Sequence, residues 1–411
     1  MTDTTLRGAG PLAPVRPGDR ILNLDILRGW AVLGILAVNA LSFAWPMQVY
    51  MDPDAAPFAM TGADRLGIWV TDVFFHDKFR SLFSMLFGVS IFLVGGERGD
   101  DARGALLRRR LLILGLFGLI HGLAIWYGDI LMHYAYTGFL MLLVRSWPAR
   151  RLMWAGGGVS LLLGLIAAGR ALVMAALPPE IQAQMAEGGP QVDTASIIAT
   201  VEQVRGDWGA AMLENLKAWA TVQGFSLFLV PATLPLMMLG LGLFKSGWLG
   251  GRSPVWTYLL AMTAGAATLA ALGYYQWMAL GVEGADPTGG RVDAARQFGF
   301  IITLGYAAML ILATRLGLRA LTGVFAPVGR MAFSNYLSQS LIMASLFYMP
   351  WGPQLYGQWG PGMLWAAVGG IWLLQLVWSP LWLSRFHMGP LEWLWRCLTY
   401  GRRVPLRKSQ G

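Results

Sequence analysis

The sequence predicts an all-α polytopic membrane protein of about ten transmembrane helices, with both termini in the cytoplasm and amphipathic helices at the interfaces. Three observations carry this. The chain is 56% hydrophobic and only 13% charged, where a soluble globular protein is about a quarter charged. Its apolar residues gather into runs of bilayer length. Most of its 31 Lys and Arg residues fall in short segments between those runs, on the side that then holds both termini. The 19 Trp and 52 Gly agree, since Trp anchors at headgroup depth and Gly lets membrane helices approach closely. A pI near 9.9 is then an orientation signal, not a nucleic-acid surface. The single Cys397 permits no internal disulfide.

Ten spans are expected in order. Residues 26–45 enter through the charged step Asp25-x-x-Arg28 and stop at Trp45-Pro46. Arg7, Arg16 and Arg20 precede them, but the run is too long, and lacks the small-x-small site, for a cleaved signal peptide. Spans at 79–95, 111–128, 130–145 and 152–177 are bracketed by Lys78, Arg108–Arg110, Arg145 and Arg150-Arg151. The second group, at 222–244, 254–281, 297–315, 332–349 and 362–383, is bracketed by Lys245, Arg252, Arg315, Arg330 and Arg385. Acidic residues such as Asp52, Asp72, Glu180 and Glu214 fall on the opposite side. Residues 62–78 and 196–218 mix apolar and charged positions at helical spacing, so they are expected along the outer membrane surface. Residues 385–396 read as a Trp-rich amphipathic helix on the inner one. The loop 178–195, with Pro178-Pro179 and Gly188-Gly189-Pro190, divides the chain. Residues 1–177 form a front half, 178–221 an outer segment and 222–411 a back half with a basic cytosolic tail. No internal repeat is visible, which weighs against a transporter.

A few polar residues lie inside these spans, where they are costly without partners. Asn39 is two-thirds along the first. His121 is at a similar depth in the third, and Asp129 follows at the next turn. His133 is one helical turn beyond Asp129, so the two can share a face. Lys78 and Arg80 enter the second span from the same side. Together these supply a base, an orienting carboxylate, an amide donor and cations for an anionic group. Each also has a plainer reading. Asn39 and His121 can be satisfied core residues, Asp129 a helix cap, Lys78 and Arg80 headgroup anchors. His133 reads as structural and His76 as a wet surface residue. Asp25 and Arg28 read as a local ion pair. The His121, Asp129, His133 spacing matches no metal motif. In the back half, Ser334, Asn335, Ser338 and Gln339 make a polar stripe, which helix–helix hydrogen bonding would explain.

The motifs carry a resemblance. Leu24-Asp25-x-x-Arg28-Gly29 with Asn39, Lys78-Phe79-Arg80-Ser81-Leu82-Phe83-Ser84, His121-Gly122 and Gly128-Asp129-Ile130-Leu131 mark the front half. Gly329-Arg330-Met331 with Ser334-Asn335-Tyr336, and Gly389-Pro390-Leu391-Glu392-Trp393-Leu394-Trp395-Arg396, mark the back half. Over nearly its whole length the chain resembles the YeiB-like bacterial inner-membrane proteins, a family of unknown function. More distantly, the first span is similar to that of transmembrane acyltransferases such as heparan-alpha-glucosaminide N-acetyltransferase. There, too, an Asp-x-x-Arg-Gly entry precedes an Asn near the far face. That resemblance implies transfer of an acyl group from cytosolic acyl-CoA to an acceptor across the membrane. It carries over only Asn39, Asp25 and Arg28, because residues 40–60 lack the histidine those enzymes place after the Asn.

The expected function is therefore a multi-pass inner-membrane acyltransferase. Acyl-CoA is its donor and an envelope glycan or lipid its acceptor, with no tightly bound cofactor. His121, Asn39 and Asp129 are the catalytic candidates. Asp25, Arg28, Lys78, Arg80, Arg330 and Asn335 are the binding candidates. A transporter or lipid flippase, and a membrane sensor or assembly partner, are the alternatives. Acceptor, acyl chain and oligomeric state stay open.

Overall fold

The computed structural model describes residues 21–97, 101–187, 193–280 and 288–408. Arg7, Arg16, Arg20, Arg98 and Gly188-Gly189-Pro190 lie outside the described residues, and Pro179–Glu187 of the expected 178–195 loop is a helix, which Pro179 can open because the first helical turn needs no amide donor.

The front half runs α1 (Leu22–Ala44), α2 (Met47–Met51), α3 (Gly62–Val70), α4 (Lys78–Gly95), α5 (Asp101–Ala124), α6 (Leu131–Val144) and α7 (Ala149–Ala175). Next come α8 (Pro179–Glu187), α9 (Thr194–Gly206) and α10 (Trp208–Lys245). The back half holds α11 (Val255–Ala279), α12 (Arg291–Arg296), α13 (Gly299–Arg315), α14 (Arg319–Thr322) and α15 (Phe325–Arg330). It ends with α16 (Ala332–Phe347), α17 (Pro361–Arg385) and α18 (Pro390–Tyr400). The only β pairing among the described residues is one bridge, Phe386 to Arg407. Among the described residues, six segments are long and apolar enough to cross a membrane: α1, residues 62–95, α7, α10, α11 and α17. The chain is thus a helical, multi-pass membrane protein. Helices α6 and α13 are apolar but shorter, α16 has 16 residues, and α5 carries Arg108, Arg109 and Arg110 within its length.

Three differences from the sequence reading have physical causes. Helix α5 starts at Asp101 rather than 111. Its three arginines do not end it, because Arg is a good helix former and Arg110 lays its guanidinium 3.7 Å from the Trp395 ring centroid of α18. Helix α10 starts at Trp208 rather than 222. Asp207 caps it, and Glu214 and Lys217 pair at 2.7 Å along its first turns. Residues 62–78 do not form a separate surface helix but run on into the next span. Helix α3 packs against α17 and α11, with Trp365 donating to the Gly67 carbonyl at 3.2 Å and Trp69 to that of Gly273 at 3.3 Å. It then passes through a π-helical turn, Thr71–Phe75, into α4.

Helix α1 is the central element. Leu27, Ala31, Val32 and Leu36 are all within 1% of full burial, so α1 is enclosed on every side, as a helix apolar all round requires. It packs on α15, α16 and α17 from the back half and on α4 from the front. A core of this kind fixes the polar side chains that project from α1, α5 and α16.

Candidate functional site

The centre of the site is a buried pair. His121 Nδ1 lies 2.8 Å from Asp129 Oδ1, with the two side chains 1% and 0% exposed. A carboxylate only accepts, so Nδ1–H donates, and in the neutral form of the ring it is Nε2 that carries the lone pair. That Nε2 is buried and has no hydrogen-bond partner among the described residues. Local sequence builds the pair. Helix α5 ends at Ala124, and the short turn 125–130 brings Asp129 back beside it. Asp129 Oδ2 accepts from the Met132 amide at 2.8 Å, so this carboxylate caps α6 with one oxygen and orients His121 with the other. Gly118 permits the approach, because a Cβ there would stand 2.7 Å from Asp129 Oδ2.

Aromatic rings enclose the pair. Tyr336 of α16 is 5.3 Å from His121, and Trp126 lies edge-on at 6.2 Å. Trp126 stacks at 4.3 Å on Phe43 of α1. Asn39 sits one turn before Phe43 on the same face of α1. It is half-buried; its carbonyl accepts the Ser42 hydroxyl at 2.7 Å, and no hydrogen bond engages its side-chain amide among the described residues. No hydrogen bond joins Asn39 and His121 among the described residues; Phe43 and Trp126 stand between α1 and His121. A second series of rings leads from His121 toward the arginine-rich end of the bundle. Phe117 meets Phe333 at 5.2 Å, Phe333 meets Trp395 at 5.5 Å, and Trp395 carries Arg110. From Arg110 to His121 the α-helical rise is about 16 Å, roughly half of a bilayer core.

His133 is not part of this group. Its Nδ1 lies 2.9 Å from the Ser226 and Tyr136 hydroxyls, and its Nε2 2.8 Å from Thr233 Oγ1. Thr233 stands between Pro231 and Pro235 of α10, which withhold two backbone donors. His133 therefore ties α6 to an irregular stretch of α10, the structural role its position suggested.

The binding candidates separate into three places. Asp25 and Arg28 pair at 3.1 Å at the start of α1, and Arg28 Nη1 reaches the Gly329 carbonyl at 3.5 Å. Arg330, next to it, donates to the His387 carbonyl at 3.3 Å. Asn335 belongs to the frame. Its amide hydrogens go to Val328 O at 3.1 Å and Ser379 Oγ at 3.0 Å, and its Oδ1 accepts from Trp378 Nε1 at 2.9 Å. Gln339 donates at 2.8 Å to Gln375 of α17 and at 3.2 Å to the Val32 carbonyl of α1, so the polar stripe of α16 joins helices, with Ser334 turned to α18. Glu392 of α18 accepts from the Phe333 and Ser334 amides at 2.8 and 3.1 Å and from the Ser334 hydroxyl, capping α16 from outside. Burial pushes its carboxyl up from the ordinary value, against the pull of those bonds.

Lys78 and Arg80 lie at the opposite end. Lys78 is 1% exposed and donates to the Asp72 carbonyl at 2.6 Å. Arg80 Nε donates to Asp77 Oδ1 at 2.9 Å. Beside them, Asp72 meets His76 Nδ1 at 3.5 Å and Arg296 Nη2 at 3.3 Å. Sequence reasoning missed this cluster. The i,i+4 spacing of Asp72 and His76 was its one local signal; Arg296 arrives from α12, far along the chain.

Residues 243–402 match a family model described as "Protein of unknown function (DUF418)". The chain is 31% identical to the uncharacterized protein YxaH of Bacillus subtilis (strain 168), covering 97% of this chain and 98% of that protein. It is 31% identical to the uncharacterized protein YeiB of Escherichia coli (strain K12), over 93% and 96% of the two chains. A 39.9 kDa protein in the amylase 3' region of Bacillus acidopullulyticus matches at 27%, over 96% and 97%. No solved structure matches. With this identity sustained from end to end, the chain belongs to the YeiB-like family of unknown function.

Proposed function

We propose that the protein is an acyltransferase of the bacterial inner membrane, moving an acyl group from cytosolic acyl-CoA to an extracytoplasmic acceptor. The observation that carries this is the His121–Asp129 pair, an imidazole anchored through Nδ1 to a buried carboxylate with its Nε2 unpartnered inside the bundle. In the reaction, an acceptor hydroxyl or amine attacks the thioester carbonyl while His121 Nε2 takes its proton. The carbonyl oxygen becomes an oxyanion, to which the Asn39 amide donates. Collapse expels the CoA thiolate, and the imidazolium returns the proton to it. Asp129 steadies the imidazolium in between. No covalent intermediate with the protein forms. Arg28 and Arg330 would meet the CoA phosphates at the arginine-rich end, from which the rings lead to His121.

The test is binding followed by turnover. Purified protein in detergent should gain thermal stability with acyl-CoA, by the mass-action amount for a ligand that binds only the folded state, and less with CoA alone. Arg330→Ala should raise KM for acyl-CoA by roughly 10–100-fold with kcat retained, as loss of one charge-assisted contact does. No shift with acyl-CoA of any chain length would end the reading.

The arrangement this requires is ten spans, α1, α4, α5, α6, α7, α10, α11, α13, α16 and α17, with both termini cytoplasmic. The distribution of Lys and Arg supports it. A cytoplasm-active reporter fused after Gly411 should therefore be active, and one fused within the 178–195 segment silent. The reverse pattern would exclude this topology.

A further inference from the structure

A second site lies at the far end of the bundle from the arginines. Between the C-terminal half of α1, the segment after it, the α3–α4 turn and the start of α17 is a cavity of about 170 Å³. One wall is apolar: Val38, Leu41, Leu364 and Val368, with the ring of Trp365. That ring is immobilised. Its Nε1 donates to Gly67 O at 3.2 Å, and it packs on Phe75 at 5.3 Å and Trp372 at 5.9 Å. The other wall is charged: Asp72, His76 and Arg296, whose side chains keep 19%, 37% and 28% of their surface open.

The charged wall is held in place and internally matched. Asp72 binds Arg296 and His76 and accepts from Gln276 at 3.2 Å. Behind it, His76 Nε2 lies 3.8 Å from Asp77, which in turn holds Arg80. The backbone that carries this wall is unusual. It makes a π-helical turn at Thr71–Phe75, then Asp77 takes φ 61°. A π turn and a left-handed non-glycine residue concentrate at functional positions, since surroundings must hold them against their cost.

We infer that this cavity binds a neutral, single-ring polyol, such as the ring of one monosaccharide. Size limits the occupant to about one ring: a cavity of about 150 Å³ accommodates benzene, and this one is partly open, so the hydroxyl groups of a ring can project beyond it. Chemistry selects the class. An acyl chain would strip water from Asp72 and Arg296 without replacing its hydrogen bonds. A phosphate or carboxylate would set its charge beside Asp72 and Asp77, and the two guanidinium groups nearest it, Arg296 and Arg80, are each already paired with one of those carboxylates. A polyol has donors for Asp72, acceptors for Arg296 and His76, and a C–H face for Trp365. The inference stands apart from the acyl-transfer reading, since it needs no chemistry at His121.

The test uses full-length protein in a detergent without a sugar head group, so that the detergent does not compete. D-glucose, D-galactose and myo-inositol are titrated by thermal shift, beside glucose 6-phosphate and cyclohexanol. At least one neutral polyol should stabilise the protein, and more than its phosphate or cyclohexanol. Asp72→Asn should weaken that polyol by roughly 10–100-fold. Val38→Phe, which fills the cavity from the apolar side, should abolish the shift while keeping the fold. Octyl glucoside below its micelle threshold distinguishes the source. Tighter binding than glucose indicates a lipid-borne ring, equal binding a free one. The inference is overturned if no neutral polyol shifts the protein, if the phosphate or cyclohexanol shifts it more, or if Val38→Phe binds like the wild type. Response to acyl-CoA, measured on the same samples, reads the other site separately.

Discussion

His121→Ala should reduce acyl transfer by about 10²–10⁴-fold, the usual cost of removing a general base, with expression and folding close to wild type. The geometry sets this expectation. Nε2 makes no hydrogen bond, so its loss breaks no contact of the folded protein. The Nδ1 bond to Asp129 is lost, but Asp129 keeps its bond to the Met132 amide. Stability should fall by about 1–3 kcal/mol for the newly unpartnered carboxylate oxygen, and further for the space left beside Tyr336 and Trp126, so turnover is compared per folded protein. Asn39→Ala should lower kcat by roughly 10²–10³-fold, as loss of an oxyanion donor does, and should hardly move the melting temperature. Asp129→Asn is the finer probe. Its amide can cap α6 through Oδ1 but then offers N–H to His121, which favours the wrong tautomer. Turnover should fall with His121 still in place. If both residues only join helices, each alanine variant should melt earlier and keep full specific activity. Melting temperature and turnover on the same preparations separate the two readings, and an active His121→Ala protein removes His121 as base.

What was legible in the chain follows from how far apart the partners are. The pairing of His121 and Asp129 was readable because eight residues and one tight turn separate them, and Asp129 gives one oxygen to the Met132 amide and the other to His121. The apolar runs were readable because hydrocarbon imposes length. The starts of α5 and α10 were not, because Arg110 on Trp395 and Asp207 at the cap of α10 are tertiary and terminal effects that override a charge count. Asn335 resembled a ligand residue from its type alone. Its partners, Ser379 and Trp378, are on α17, and no local pattern announces them. The cavity beside Asp72 was invisible for the same reason: Arg296 and Trp365 reach it from elements far along the chain.

Gly29→Ala or Gly329→Ala should each destabilise the protein by about 1–3 kcal/mol or more, the cost of forcing extra volume into a packed contact. Both residues sit in the motifs by which the family is recognised, and the structure shows why those motifs pair. A Cβ on Gly29 would overlap the Phe325 carbonyl, and one on Gly329 would overlap the Asp25 carbonyl. Backbone thus meets backbone where α1 crosses α15, a contact open only to the smallest residue in membrane helices. The clash is with main chain, so no rotamer change relieves it, and the helices must separate. Separation also moves Arg28 from the Gly329 carbonyl and Arg330 from the His387 carbonyl. Melting temperature and affinity for acyl-CoA should therefore fall together in these variants. Gly369→Ala is the control. Nothing lies within 4 Å of its Cβ position on α17, so it should be neutral or stabilising by up to about 1 kcal/mol, the helix preference of Ala over Gly. Differential scanning fluorimetry of the three proteins in one detergent measures this. A Gly329→Ala protein that melts with Gly369→Ala would mean that α1 and α15 are not locked at this crossing.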